Sequence, residues 1–154
     1  MDLCDLLAPD DIIASLQATS KKHALQELAT IAAERTGLDS REIFNTLLQR
    51  ERLGSTGLGR GIAIPHVKLE GLKGILCVFA RLDEPIDYES HDNEPVDLIF
   101  LLLAPDHASG DHLKALASIS RVVHQPTTLA ALRNAADPAA LRSALTTMVP
   151  SHAA

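Results

Sequence analysis

Val96-Asp-Leu-Ile-Phe-Leu-Leu-Leu103, followed by Ala104 and Pro105, is the stretch from which the fold can be read. From Leu98 onward its side chains are apolar without interruption. A strand with one face in water alternates apolar and polar residues, so this run predicts a central strand covered on both faces. Ile75 to Leu82, rich in branched and apolar residues, predicts a second strand. A sheet covered twice needs helices on both sides, and the chain supplies them before and after. Upstream, a short strand falls near residues 11–16. Ser20 then offers an N-cap to a helix whose Ala24, Leu25, Leu28, Ile31 and Ala32 recur at helical spacing, with Gly37 as its stop. Asp39 and Glu42 have the spacing of a capping box, and Ile43, Phe44, Leu47 and Leu48 give the next helix its buried stripe, ended by Gly54. Downstream, Pro105, Asp106 and Gly110 mark a loop. Ser109 or Asp111 caps a helix carrying Leu113, Leu116, Ala117, Ile119 and Val123, and Pro126 breaks it. A short helix follows from Thr128 to Ala135, and Asp137-Pro138 opens a last one through Leu141, Leu145 and Met148. The interleaving predicts an α/β fold, a mixed sheet sandwiched between helices.

Composition bounds the function. The chain has 154 residues, 46% hydrophobic and 22% charged, with a formal charge of −6. No Ser/Gly-rich linker divides it, so residues 1–154 read as a single domain. No apolar run reaches the roughly 18 residues of a membrane helix. The acidic balance lacks the basic stripe that would neutralise nucleic-acid phosphates, and three Phe and one Tyr are too few for a base-stacking platform. The acidic N-terminus has no basic n-region, so it does not read as a secretory signal. Cys4 and Cys77 form no CxxC or metal spacing, and Cys77 lies in an apolar run as a buried thiol. These features predict a cytoplasmic protein with neither metal nor cofactor.

The unusual segment is Gly54-Ser-Thr-Gly57-Leu-Gly59-Arg-Gly61-Ile-Ala-Ile-Pro65-His66. Glycines permit positive φ and close backbone approach, and successive N–H groups can line an anion-binding concavity. Two phosphate motifs nevertheless fail. Arg60-Gly61 replaces the Lys-Ser/Thr of a P-loop, and Gly57-x-Gly59-x-Gly61 has the wrong last spacing for a dinucleotide fingerprint. What remains is His66 directly after Pro65, with the apolar lead-in Ile62-Ala-Ile64 on one side. That setting suits an imidazole with one nitrogen tied by a hydrogen bond and the other free as a nucleophile toward phosphorus. It equally suits a histidine ending a buried strand beside a glycine-rich turn.

The run Arg50-Glu51 followed by Gly54 to His66 resembles the active-site signature of the enzyme IIA domains of the bacterial phosphotransferase system, fructose/mannitol class. Ser20 to Ala29 resembles the nitrogen-regulatory branch of that family, and Asp92 to Leu116 is similar to the family as well. The likeness extends over about residues 5–149. It implies a mixed, roughly five-stranded sheet. It implies that His66 is the phosphoacceptor, that Arg50 supports the phosphoryl group, and that His112 stands beside it. Ser55, Thr56 and Gly57 are then candidates to contact phosphate through hydroxyls or backbone N–H groups. Val67 stands where the family usually has a small residue, Leu58 replaces the commoner isoleucine, and Arg60 replaces a small or polar residue.

The resemblance further implies an HPr-type phosphoryl donor and no cofactor. For the nitrogen-regulatory branch it implies target proteins bound according to phosphorylation state, potassium-transport proteins and sensor kinases among them. The alternative within the family is a sugar-specific component that hands phosphate to an enzyme IIB. The seven acids between Asp83 and Asp97, without a Lys or Arg among them, read as a solvated loop.

Overall fold

The computed structural model describes residues 3–107 and 110–146. A short helix α1 (Leu3–Leu6) and a 3-10 turn (Pro9–Asp11) lead into β1 (Ile12–Leu16), and α2 (Lys21–Thr36) and α3 (Ser40–Leu53) follow. Four strands come next, β2 (Gly57–Gly59), β3 (Ile62–Ala63), β4 (His66–Leu69) and β5 (Leu76–Ile86). Then come β6 (Val96–Pro105) and the helices α4 (Asp111–Val123), α5 (Pro126–Asn134) and α6 (Pro138–Thr146).

All six strands join one mixed sheet in the order β1-β5-β6-β3-β2, with β4 pairing β6 as well. The resemblance implies roughly five strands and the sheet has six, the glycine-rich segment supplying the short β2 and β3. β6 is the central strand, as its apolar run requires. Ile99, Leu101 and Leu103 point toward Leu25, Leu28, Ile43 and Leu47 of α2 and α3. Leu98, Phe100 and Leu102 point the other way, into a cluster with Ile119 of α4, Leu132 of α5 and Leu141 of α6. The period of two along a strand divides the core into these two layers. Phe79 pairs with Phe100 across β5 and β6, their ring centroids 4.9 Å apart.

Helix ends follow local chemistry, with some departures. Ser20 Oγ accepts the His23 N–H at the start of α2, and Gly37 closes that helix at φ 78°. Asp39 occupies the N-cap of α3, but its carboxylate makes no capping bond, so the capping box does not form. Gly110, not Asp111, is the N-cap of α4. Ser109 and Met148 lie outside the described residues. Pro126 opens α5 instead of only ending α4, since a first-turn proline sacrifices no helical N–H bond. Asp137 Oδ1 accepts the Ala140 N–H and so caps α6.

The path from β2 to β4 positions the site. β2 and β3 form a hairpin in which Gly59 opposes Ile62. Its two connecting residues, Arg60 at φ 58° and Gly61 at φ 82°, have the positive angles of a type I′ turn. β3 and β4 then run parallel to β6 in one continuous register, from Ile62 opposite Leu98 to Leu69 opposite Pro105. Between them Ile64 turns its N–H away from β6 to the Thr56 carbonyl, and Pro65 has no N–H to place. Pro65 forfeits one ladder bond toward β6 at the break between β3 and β4, while its own carbonyl accepts the Leu102 N–H.

Candidate functional site

Ile62 and Ile64 belong to the core layer under α4, whereas Ala63 and Leu69 face α2 and α3. Alternation then places His66 on the α4 side, at a half-buried position on the first residue of β4. There a hollow of about 180 Å³ is lined by His66, Val67, Lys68, Leu102, Ala104 and His112. The structure thus brings together His66 and His112, which are 46 positions apart in the chain.

The imidazole of His66 is oriented from behind. Its Nδ1 lies 2.7 Å from the Ile64 carbonyl oxygen. A carbonyl can only accept, so Nδ1 carries the proton and donates it there. The neutral ring is left with its lone pair on Nε2. One hydrogen bond fixes the tautomer that makes the outer nitrogen nucleophilic.

His112 is the second residue of α4. Its Nδ1 is buried and without a hydrogen-bond partner among the described residues. A buried orphan polar atom beside a hollow is poised for an incoming acceptor or donor, because leaving it unpaired costs about 1–3 kcal/mol. The intrahelical bonds of α4 begin with the Lys114 N–H to the Gly110 carbonyl, and Gly110 has no side chain to cap the N–H groups before it. The positive end of the helix therefore sits at the hollow. Lys68, two residues beyond His66 and on the same side of β4, adds a cation at the rim. Sequence reasoning passed over Lys68, although the period of two from His66 pointed to it.

Arg50 does not line this hollow. It lies half-buried in the last turn of α3, where Nη1 donates to the Gly54 carbonyl at 2.9 Å. No carboxylate among the described residues comes within ion-pair distance of its guanidinium.

Of Ser55, Thr56 and Gly57, expected to contact phosphate, both hydroxyls and the N–H groups of Thr56 and Gly57 are engaged elsewhere. Ser55 Oγ donates to the Tyr88 carbonyl at 3.0 Å and accepts the Gly57 N–H at 3.1 Å. Thr56 gives both its N–H and its hydroxyl to the buried carboxylate of Glu51. A Cβ on Gly57 would collide with Ser90 Oγ, so glycine is required there for close approach. Further along, Asp92 accepts the N–H groups of Arg60 and Glu94, which hold its carboxyl below the ordinary 3.8. Two amides of the glycine-rich segment, those of Thr56 and Arg60, are thus taken by the protein's own carboxylates. The Arg60 side chain is exposed on the hairpin turn, away from the hollow. Val67 lines the hollow, but its side chain packs into the α2–α3 layer, which limits how far it narrows access.

The acidic stretch is more structural than a solvated loop. Asp83 takes the Ser15 hydroxyl, Glu89 stands 3.5 Å from Lys21, and Asp97 holds Arg133 through two contacts of 2.9 Å. Glu51 is the participant that sequence reasoning missed. The Arg50-Glu51 pair of the signature contains it, but nothing in the sequence gives it a role or sets its burial apart from the exposed Arg52 and Leu53 that follow.

Residues 5–148 match the family model described as "Phosphoenolpyruvate-dependent sugar phosphotransferase system, EIIA 2". A nitrogen regulatory protein of Bradyrhizobium diazoefficiens is 54% identical over 145 residues, covering 94% of this chain and 95% of that protein. One from Pseudomonas aeruginosa is 38% identical over 131 residues, covering 84% of this chain and 85% of its own length. Among solved structures, the nitrogen regulatory protein IIA-Ntr from Neisseria meningitidis superposes with a TM-score of 0.88 at 33% identity. That match covers 94% of this chain and 99% of the other.

Proposed function

The chain belongs to the EIIA 2 family of the phosphotransferase system, and we propose that within it this protein is a phosphocarrier of the nitrogen-regulatory kind, loaded on His66. The observation that carries the reading is the Ile64-bound imidazole, whose Nε2 is the free nitrogen, at a hollow shared with the unpartnered Nδ1 of His112.

The donor is an HPr-type protein carrying phosphohistidine. The Nε2 lone pair of His66 attacks phosphorus in line with the donor's P–N bond. That bond breaks as the new N–P bond forms, and the donor imidazole leaves with the electron pair. No proton need move at His66, because Nδ1 already holds its own against Ile64. Catalysis is then positioning and charge stabilisation. The arriving phosphoryl oxygens meet the N-terminus of α4, the Lys68 ammonium and the ring of His112. Arg50, held by a single carbonyl contact, is a planar donor available to the complex with the partner. In our reading Ser55, Thr56 and Gly57 serve the site by holding its wall, since both hydroxyls and the N–H groups of Thr56 and Gly57 already have protein acceptors.

A phosphorylated His66 adds about −1.5 to −2 charges to this surface. Target proteins docking over the hollow, potassium-transport proteins or sensor kinases among the candidates, would distinguish the two states directly. The test is transfer from a radiolabelled, phosphorylated HPr-type donor. Acid-labile, alkali-stable label on the parent protein and none on His66→Ala supports the reading. A parent that stays unlabelled would falsify it.

A further inference from the structure

We propose that Glu51 is a positioning residue for His66, acting through a chain of hydrogen bonds that ends on the imidazole. The inference rests on the reading of His66 as phosphoacceptor. It adds a residue that touches neither phosphate nor His66.

The Glu51 side chain is only 2% exposed. Burying a carboxylate is costly unless its oxygens find partners, and here both do. Oε1 takes the Lys21 ammonium at 3.0 Å and the Thr56 N–H at 3.0 Å, and Oε2 takes the Thr56 hydroxyl. Lys21 also lies 4.7 Å over the ring of Tyr88, whose phenol stands 3.2 Å from Thr56 Oγ1. Burial, and next the charge of Glu51, push the Tyr88 phenol far above its ordinary range, so it stays protonated.

From Thr56 the chain continues outward. The Thr56 carbonyl accepts the Ile64 N–H at 3.0 Å, and the Ile64 carbonyl accepts Nδ1–H of His66 at 2.7 Å. Ile64 keeps its register with β6, but by alternation its N–H and carbonyl face the other side, so β6 does not hold this peptide group. Its orientation is set by Thr56, and Thr56 is set by Glu51. Beside Glu51, Arg50 grips the Gly54 carbonyl, so two neighbouring residues hold the turn at both of its ends. The links pass through Cα atoms, which transmit position and not polarisation. Their consequence at His66 is the tautomer.

The experiment compares parent, Glu51→Ala, Glu51→Gln and Thr56→Val by 15N-detected histidine NMR and by the rate of donor-dependent labelling, with thermal melts to establish folding. The parent is expected to show His66 protonated on Nδ1. Folded Glu51→Ala is expected to gain the Nε2–H tautomer and to be labelled about ten- to a hundredfold more slowly, the loss that a misplacement near 1 Å brings. Glu51→Gln, which keeps one acceptor oxygen, is expected to fall between. A residue that served stability alone would lower the melting temperature without moving the tautomer. Unchanged tautomer and labelling within twofold of parent in folded Glu51→Ala overturn the proposal. Should that variant not fold, Glu51→Gln and Thr56→Val decide it by the same two readouts. Should the parent take no label, the function proposed above fails, while the tautomer comparison still decides the role of Glu51.

Discussion

Replacing Gly61 by alanine perturbs the turn that delivers the chain to His66, and its cost can be worked from the contacts there. Gly61 stands at φ +82°, and a Cβ built on it lies 2.7 Å from Asp97 Oδ1 and closer still to Arg133 Nη2. The left-handed backbone alone costs an alanine about 1–2 kcal/mol. Restricting the unfolded chain returns about 0.4–1 kcal/mol of that. The methyl group also displaces Arg133, which binds Asp97 through two nitrogens and donates to the Arg60 carbonyl at 2.6 Å. Arg133 is 35% exposed and Asp97 22%, so solvent screens the pair to about 0.5–1 kcal/mol. The carbonyl bond adds about 1.5 kcal/mol. Gly61→Ala should therefore lose about 2–4 kcal/mol in urea denaturation at unchanged m. A double-mutant cycle isolates the mechanism. With Arg133→Ala already in place, no guanidinium remains to be displaced, and Gly61→Ala should cost only about 1 kcal/mol, a coupling of about 2 kcal/mol. Costs that add to within about 0.5 kcal/mol would refute the steric argument.

Asp92 gives a pH-dependent counterpart. Its folded carboxyl titrates below the ordinary 3.8, chiefly through the Arg60 N–H, so it contributes stability above that value and loses it as pH falls through the lowered one. Asp92→Ala should be less stable than parent at neutral pH, with the gap closing in acid; a gap independent of pH contradicts the assignment. Burial, aided by the charge of Asp11, raises the Cys77 thiol to about 12, leaving roughly one part in ten thousand as thiolate at pH 8. In a Cys4→Ser background, iodoacetamide should fail to modify the native protein and should label it fully in denaturant. Rapid native labelling would place the thiol elsewhere. Lys68→Ala should slow loading of His66 about tenfold, as expected for one lost charge contact to phosphate, without lowering the melting temperature. An unchanged rate removes Lys68 from the site.

What could be read in advance was whatever the chain states locally. The apolar run of β6 declared its double burial, and Ser20 and Gly37 declared the ends of α2 through side-chain chemistry and a left-handed φ. The β2–β3 hairpin was hidden because strands of three and two residues show no alternation, and its glycines suggested an anion loop instead of a turn around Asp92, Asp97 and Arg133. His66 was legible as a nucleophile because Pro65 and the apolar lead-in restrict it. The partner that fixes its tautomer, the Ile64 carbonyl, belongs to a backbone path that no pattern of side chains records. Glu51 stands in the signature beside Arg50, but no side-chain pattern shows that it is buried. Its burial depends on Lys21 and Tyr88, 30 residues before it and 37 after, which only the fold brings together.

The central claim concerns a single nitrogen atom. After loading by a phosphorylated HPr-type donor, combined 31P and 15N NMR should place the phosphorus on Nε2 of His66 with Nδ1 still protonated. Phosphorus on Nδ1, on His112, or on no histidine at all would contradict the account.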